Sequence, residues 1–343
     1  MPHLPFASSI KPAKDLLKQL TRVAPKEAKF SIGLDIGSSS VKALALGPRK
    51  PGGRRQILGQ HTVALGSGRD VDPSDAIKQA VEALHPPVHT VTIGVSGPWV
   101  IMRAVEMPTM KPAEMKQALP FEAQRYLPFN VQEVVIDGAI LGPADANKTW
   151  VLIVACKKEL IERRMDALKR AGLGAGVIDV DALALANAHM QGANGQDGTR
   201  ALVDVGAQFT NLVILRGATP YLVRDVPWGG EKFYRGIAEQ AGQEAAAVES
   251  KLREGSAGPE FADAVKLALE PLVAELQLSF DYFENRFGQL PEGLLVSGGL
   301  SLSPGFLEGV KGHLTQSVTR WAPAEELSPQ YTVAYGLALR SAG

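Results

Sequence analysis

Two short stretches of this chain place an acid, a glycine and polar side chains between apolar runs. The first contains Asp35, Gly37 and then three serines, with apolar residues on either side from Ile32 to Leu46. Apolar and β-branched flanks favour strands, and glycine permits the close backbone approach that a turn around a phosphate requires. Turn amides, serine hydroxyls and Lys42 bind phosphate oxygens, while a carboxylate at a strand end holds hydrated Mg²⁺. The stretch predicts a phosphate-binding hairpin, although an ordinary hairpin has the same pattern.

The same order of residues recurs in the second half of the chain. Asp204 is followed two residues later by Gly206, then by a polar turn and a return strand that ends at Leu215. Recurrence over so long a distance indicates two related halves rather than a short repeat array. Two such hairpins facing one another across a cleft would hold a polyphosphate from both sides.

A third stretch, from Leu294 to Ser301, is an apolar strand that runs into Gly298 and Gly299. Residues without side chains let a flat adenine lie against the backbone. In this order, the three stretches resemble the phosphate 1, phosphate 2 and adenine elements of the actin-like ATPase superfamily. The resemblance implies ATP and Mg²⁺ as cofactors, with Asp35 and Asp204 holding the metal. The expected nucleotide-binding residues are Gly37, Ser38, Ser39, Ser40, Lys42, Gly206, Ala207, Gln208, Thr210, Asn211, Gly229, Gly230, Gly298, Gly299 and Leu300.

The elements that must position the first hairpin follow it directly. Gln56 to Leu65 is predicted as a strand, Ser74 as the cap of a helix, and Val91 to Val95 as a buried strand. This βββαβ succession is the ribonuclease-H-like half expected of the superfamily. The predicted fold class is therefore α/β, with two ribonuclease-H-like domains of the actin-like ATPase fold.

Composition narrows the class of protein further. The chain has 343 residues, of which 45% are hydrophobic, so it is long enough for two domains with cores of their own. Its 36 basic and 36 acidic side chains give no net charge, so no nucleic-acid partner is expected. The one cysteine, Cys156, excludes an internal disulfide and fits a reducing compartment. No apolar run has the length of a membrane span, and we expect a cytosolic protein.

Residues 1–29 differ in kind from the rest. Leu16, Leu17, Leu20 and Val23 recur at helical spacing among six basic and two acidic side chains. This is the pattern of a short basic amphipathic helix. It is typical of a contact with anionic lipid, and equally of a leader or a helix packed on the body.

Residues 106–175 carry a more specific resemblance. A helix predicted from Pro112 to Arg125 contains Phe121, and Tyr126 and Phe129 follow it within a Tyr-Leu-Pro-Phe run. This run resembles the inserted subdomain, called 1C, of the PilM family of type IV pilus assembly proteins. The resemblance extends essentially from Ile32 to Leu339. The three aromatic residues could equally belong to the core of a small βα unit.

The resemblance implies a function. A protein of this family would lie at the cytoplasmic face of the inner membrane, associated with it through its partner. It would bind the N-terminal peptide of the membrane protein PilN in a groove between subdomains 1A and 1C, with Phe121, Tyr126 and Phe129 as expected contacts. It would thereby link the cytoplasmic motor side of the pilus machine, which drives twitching motility, to its periplasmic alignment complex. Other inner-membrane and motor components of the machine are expected as further partners. Nucleotide would act as a conformational ligand, with hydrolysis slow or absent.

The resemblance also predicts the domains. Residues 1–29 form a leader, 30–198 the first domain with 1C at about 106–175, and 199–343 the second domain. Subdomain 2B is expected at about 231–288, and a C-terminal helix should return to 1A. Asp181 matches the position of an acid that orients the attacking water in actin-like ATPases, and is the candidate catalytic residue. An acid at a helix start is also a common cap or dipole partner.

Two other functions remain open from the sequence. A small-molecule kinase on the same fold would need a carboxylate beside the γ-phosphate and a substrate pocket. A cell-division or secretion scaffold of the FtsA or GspL type would capture a different membrane peptide. One departure from the superfamily concerns 2B, where Glu249 and Lys251 are two residues apart instead of three. On a helix this spacing turns the two side chains away from each other, so we do not expect both to contact one nucleotide.

Overall fold

The structure is a computed structural model that describes residues 30–49, 55–66, 71–85, 89–145, 147–192, 198–255 and 261–340. The predicted basic helix in residues 1–29 lies outside these ranges. The strands are β1 (Ser31–Ile36), β2 (Ser40–Arg49), β3 (Arg55–Ala64), β4 (Thr90–Val95), β5 (Val100–Pro108), β6 (Val134–Pro143), β7 (Lys148–Lys157), β8 (Gly174–Val180), β9 (Thr199–Val205), β10 (Thr210–Arg216), β11 (Thr219–Val226), β12 (Gly293–Ser297) and β13 (Ser317–Arg320). The α-helices are α1 (Ser74–Glu82), α2 (Pro112–Ala123), α3 (Lys158–Arg170), α4 (Asp181–Gly192), α5 (Gly230–Ala241), α6 (Ala245–Arg253), α7 (Ala262–Phe287), α8 (Phe306–Lys311) and α9 (Thr332–Ala338).

The first sheet has the strand order β3-β2-β1-β4-β8. β1 is antiparallel to β2 and parallel to β4, and its side chains are buried along its whole length. Ile32, Leu34 and Ile36 alternate along the strand with the polar Ser31 and Asp35 and with the small Gly33, which lies against α9. Helix α1 buries Ile77 and Val81, as its spacing predicts. The predicted cap was wrong: Ser74 is the first helical residue, and its amide donates to the Asp72 carboxylate at 3.0 Å.

The second sheet repeats this order with β11-β10-β9-β12-β13. Its central hairpin, β9–β10, is again antiparallel. β9 pairs in parallel with β12, as β1 pairs with β4 in the first sheet. The matching topologies of the two sheets confirm the inference of two related halves from the repeated Asp-x-Gly stretch.

The third sheet is small and antiparallel, with the order β5-β7-β6. Helix α2 covers it through Met115 and Leu119, which pack with β5 and β7 residues. Helix α3 begins at Lys158, directly after β7 ends at Lys157, and packs against the first sheet. The last residue of β7 in the small sheet is therefore followed at once by α3, the helix that packs on the first sheet.

Helix α9 packs against the first half of the molecule. Helix α9 packs on β1 and on α4, and Ser31 Oγ donates to the carbonyl of Ala338 at 2.7 Å. Glycines make this contact possible, because a Cβ at Gly33 would overlap the backbone of Ala334 and one at Gly336 the backbone of Ala184. Among the described residues, no helix has the length and apolar character needed to cross a bilayer.

Candidate functional site

The two Asp-x-Gly turns have the same closure. The amide of Gly37 donates to the Ser40 carbonyl at 3.1 Å, and that of Gly206 donates to the Phe209 carbonyl at 3.0 Å. Both turns connect the central antiparallel strands of their sheets. Ser38 and Ser39 at the tip of the first turn are exposed, so their hydroxyls are accessible to a ligand.

The side chains beside the two turns differ. Asp35 lies opposite Lys42 in the β1–β2 register, and Lys42 Nζ donates to Asp35 Oδ2 at 2.9 Å. At the corresponding place in the second hairpin, Asp204 lies opposite Asn211. Asp204 Oδ1 instead accepts a 2.8 Å hydrogen bond from Ser297. One hairpin thus carries an ion pair and the other a carboxylate without a cation of its own.

The structure brings acids from both halves close to one another. Burial opposes the charge of Lys42, but attraction to Asp35, Asp204 and Asp181 outweighs it and raises the pKa of Lys42. Burial and repulsion by Asp35 raise the pKa of Asp204 to about 6, against the opposing effect of Lys42 and Ser297. The cluster therefore holds more negative charge than Lys42 neutralises.

Asp181 joins this cluster from the first turn of α4. A Cβ at Gly94 would overlap its carboxylate, so the glycine in β4 provides the space that Asp181 occupies. Burial and repulsion by Asp35 raise its pKa to about 7, while a hydrogen bond from Ser96 and the charge of Arg164 act in the opposite direction. Its Oδ1 has no hydrogen-bond partner in the described part of the chain. Asp181 is thus a buried acid that lies close enough to Asp35 for the two charges to repel each other.

The carboxylates of Asp35 and Asp204 are suitable ligands for a hydrated cation. In the described ranges, no group of three or more His, Cys, Asp or Glu side chains is arranged to hold a metal ion. Mg²⁺ in nucleotide sites needs no such cage, because one or two carboxylates, water and the phosphates themselves complete its shell. A buried carboxylate such as Asp204, whose pKa is raised by burial and by a neighbouring acid, gains from a cation beside it. Asp35 and Asp204 therefore fit the predicted role.

The predicted adenine element lies at the end of β12, where the backbone turns at Gly298 and Gly299. Gly298 has a φ of 87°, which favours glycine, and a Cβ there would overlap the backbone of Val205. A Cβ at the next residue, Gly299, would meet no atom within 4 Å. Open space at that backbone is compatible with a flat ring lying against it. The Leu300 side chain is buried in the core of the second half, which leaves only its backbone for a ligand.

Several predicted phosphate contacts are engaged within the protein. Thr210 is fully buried and donates to the Trp228 carbonyl at 2.7 Å, so its hydroxyl does not face the cleft. The first amides of α5, those of Gly230 and Glu231, donate to the carbonyls of Gly206 and Ala207 at 2.9 Å. The N-terminus of α5 therefore supports the second turn through these amides rather than offering them to a phosphate.

The remaining members of the second-half set lie close by. Gln208 is exposed and donates to Glu231 at 3.0 Å. A Cβ at Gly229 would lie 2.6 Å from the Ala207 carbonyl oxygen, so this glycine permits α5 to touch the turn. On α6, Glu249 pairs with Arg253 at 2.8 Å and Lys251 bonds Gln243 at 2.8 Å. Each of these two α6 side chains is thus engaged by a different neighbour, as their spacing predicts.

The predicted partner residues have three different environments. Phe121 on α2 is 79% exposed, and Tyr126 is 38% exposed and donates to Glu122 at 3.3 Å. Phe129 is half-buried, with Lys157 Nζ 4.6 Å from its ring centroid. Lys157 also lies 5.6 Å from the ring of Trp99, which connects the first sheet to the small sheet. Of the three, Phe129 is the one at the junction of the two sheets.

Sequence reasoning missed several residues of the cleft. Arg164 donates to the carbonyl of Ile36 at 2.8 Å, just before the first turn. The amide of Gly97 donates to Asp225 of the other half at 2.6 Å. Arg164 had no distinguishing signal in a helix rich in charges, whereas Ser96-Gly97 after a buried strand and Asp225 opposite Asn211 could have been found from the strand register.

Two equivalent sheets, each with an Asp-x-Gly hairpin whose acids meet between the halves, define the actin-like ATPase fold. The sequence matches the family described as type IV pilus assembly protein PilM over residues 33–342. The chain belongs to this family.

Solved structures agree with this assignment. A PilM–PilN type IV pilus biogenesis complex matches with 26% identity and a TM-score of 0.79, covering 92% of this chain and 99% of that one. The ethanolamine utilization protein EutJ of Carboxydothermus hydrogenoformans matches at 15% identity and a TM-score of 0.55, over 96% of each chain. A ROK family glucokinase of Streptomyces griseus matches at 17% identity and a TM-score of 0.52, over 90% of this chain and 98% of that one. The last two show the fold alone.

Proposed function

We propose that this protein is a nucleotide-binding adaptor of type IV pilus assembly. It binds Mg·ATP between its two halves and the cytoplasmic N-terminal peptide of PilN beside the small sheet. Through PilN it is held at the cytoplasmic face of the inner membrane, where it connects the motor side of the machine to the membrane complex. The match to the PilM family over nearly the whole chain carries this proposal.

The cleft supports the nucleotide part of the proposal. Two equivalent turns, exposed serine hydroxyls at one tip and acids from both halves are the groups that a Mg²⁺-bound polyphosphate requires. Bound Mg²⁺ would supply the positive charge that compensates both the acidic cluster and the ATP phosphates. In this chain, Asp35 and Asp204 hold the metal and the backbone of Gly298 and Gly299 receives the base.

The small sheet supports the peptide part. A short extended peptide gains affinity by pairing with a sheet edge and placing apolar side chains in pockets. β6 is an edge strand of the small sheet, and its Val135 is exposed. Phe129 lies next to the junction with the first sheet, and Phe121 presents a large apolar surface on α2. Two calorimetric titrations of the full chain test the proposal, one with Mg·ATP and one with a synthetic PilN N-terminal peptide.

We expect binding in both titrations, since the adaptor requires both ligands. ATP turnover should stay well below about 1 per second, the lower range of ordinary enzymes. No peptide binding would overturn the adaptor function, and rapid phosphoryl transfer to a small metabolite would replace it with a kinase.

A further inference from the structure

Two neighbouring arginines on α3 contact two different parts of the molecule. The guanidinium carbon of Arg163 lies 5.0 Å from the ring centroid of Trp99. Arg164 turns the other way and donates to the carbonyl of Ile36, the last residue of β1, at 2.8 Å. One helix position thus faces the junction of the first and small sheets, and the next faces the first Asp-x-Gly turn.

On the junction side, cations and rings alternate. We call this series the junction stack; it consists of Phe129, Lys157, Trp99 and Arg163. Lys157 Nζ lies 4.6 Å from the ring centroid of Phe129 and 5.6 Å from that of Trp99, and the guanidinium carbon of Arg163 lies 5.0 Å from that of Trp99. Each such contact is attractive because the ring face carries negative charge. The stack brings together four segments: the one between α2 and β6, the end of β7, the one between β4 and β5, and α3.

On the cleft side, Arg164 is placed beneath the first turn. Its side chain is half-buried, and its Nε, which is inaccessible to solvent, has no hydrogen-bond partner among the described residues. The carboxylates of Asp181 and Asp35 are close enough to act on its charge. A half-buried guanidinium that bonds the strand end before Gly37 can fix the position of that turn relative to Asp181.

The backbone joins the two sides rigidly. α3 follows β7 without a loop, and the amide of Lys157 donates to the Trp99 carbonyl at 3.0 Å. The segment that carries Trp99 also provides the Ser96 hydrogen bond to Asp181 and the Gly97 amide that bonds Asp225. A shift of Trp99 or of the end of β7 cannot leave α3 and the cleft unchanged.

We propose that Arg163 and Arg164 couple the peptide site to the nucleotide cleft, with Arg164 acting as a positioning residue for the first turn. A peptide seated against the junction stack fixes Trp99 and Lys157, and thereby α3. Arg164 then holds the first turn in one position relative to Asp181. The inference rests on the proposed function, because it concerns communication between its two sites.

The test is a pair of titrations in the presence of the other ligand. Mg·ATP affinity is measured with and without saturating PilN N-terminal peptide, and peptide affinity with and without Mg·ATP. Coupling must be reciprocal, and we expect the same factor of about five or more in both directions. In Arg164→Met and in Arg163→Met the factor should fall to less than about two. Because the factor is a ratio within one variant, a uniform change of either affinity does not alter it.

Three further variants make the result interpretable. Arg170→Met changes an exposed arginine of the same helix, ion-paired with Asp72, and should keep the wild-type factor. Arg164→Lys keeps the charge and should restore part of the factor, which a purely structural role would not predict. If Arg164→Met fails to fold, Arg163→Met and Arg164→Lys decide the question. Phe129→Ala should reduce peptide affinity without affecting Mg·ATP binding measured alone.

The outcomes separate the two proposals. Failure of the wild type to bind either ligand would overturn the proposed function. Binding of both ligands with affinities that do not depend on each other would overturn the coupling alone. An unchanged factor in Arg163→Met and Arg164→Met would show that coupling exists but runs through other residues, which contradicts the role assigned to the arginine pair.

Discussion

Lys42 and Asn211 occupy corresponding positions in the two hairpins, and their difference makes the two sides of the cleft unequal. Lys42 neutralises Asp35 at 2.9 Å. Asp204 faces the uncharged Asn211 and the Ser297 hydroxyl, and its pKa is raised to about 6 by burial and by Asp35. Asp204 is therefore the carboxylate that gains more from a divalent cation.

The first prediction follows from this inequality. Asp204→Ala should weaken Mg·ATP binding about tenfold or more, since a hydrogen bond to a charged group contributes about 1.5–3 kcal/mol. Asp35→Ala should weaken it less, because Lys42 is then released toward the phosphates. Calorimetry with Asp72→Ala, a change at an exposed acid, gives the baseline. Unchanged affinity in both cleft variants would show that neither acid serves the nucleotide.

The second prediction concerns the aromatic residues of the small sheet. Phe129→Ala should reduce the affinity for the PilN peptide by about 1–3 kcal/mol, the range of an interface anchor. Phe129 is half-buried under Lys157, so a thermal melt must accompany the titration. Phe121 is far more exposed, and Phe121→Ala should leave the melting temperature unchanged. A well-folded Phe129→Ala protein with full peptide affinity would remove Phe129 from the groove.

At the scale of elements, the repeated hairpins were predictable because their signals are local. An acid, a glycine two residues later and flanking apolar strands specify the turn with no information from elsewhere. Which of the polar groups in the turns are already hydrogen-bonded within the protein was not predictable. Thr210 bonds Trp228, and the amides of Gly230 and Glu231 bond the second turn, because tertiary packing determines those distances. The sequence therefore predicts the two turns, but it predicts more free polar groups around them than the packed structure leaves.

The third prediction tests the contact between α9 and α4. Alanine normally stabilises a helix relative to glycine by about 1 kcal/mol. At Gly336 the added Cβ would overlap the carbonyl of Ala184, so Gly336→Ala should lower the free energy of unfolding by about 1–3 kcal/mol. Gly312→Ala is the control, because a Cβ there would lie 3.5 Å from the Gly309 carbonyl oxygen at a helical φ of −67°. Chemical denaturation should show little change or a small gain for that variant.

At the scale of the whole molecule, the two halves meet through contacts that no local pattern reveals. Gly97 and Asp225 are 128 positions apart, and Glu106 and Arg286, which form an ion pair between β5 and α7, are 180 apart. The presence of two related halves followed from the internal repeat. The relative position of the halves did not, because it depends on such pairs.

The fourth prediction concerns Asp225 and the closed arrangement of the halves. Burial raises the pKa of this carboxyl to about 6, although the Gly97 amide lowers it. Between about pH 4 and pH 6 the folded chain therefore binds a proton that the unfolded chain releases. The contribution of Asp225 to stability is complete below the unfolded pKa and is lost as the pH rises through 6.

Asp225→Asn removes this dependence while its amide oxygen still accepts from Gly97. At pH 7.5 the variant should exceed the wild type in free energy of unfolding by about 1–3 kcal/mol, and the difference should vanish near pH 4. Denaturant unfolding at both pH values measures it. Asp72→Asn is the matched control of opposite sign, because hydrogen bonding by Arg170 and by the Ser74 amide lowers the pKa of Asp72. If Asp225→Asn were less stable than the wild type at pH 7.5, the charged bond to Gly97 would outweigh burial, and the two halves would be held together by the ionised carboxylate.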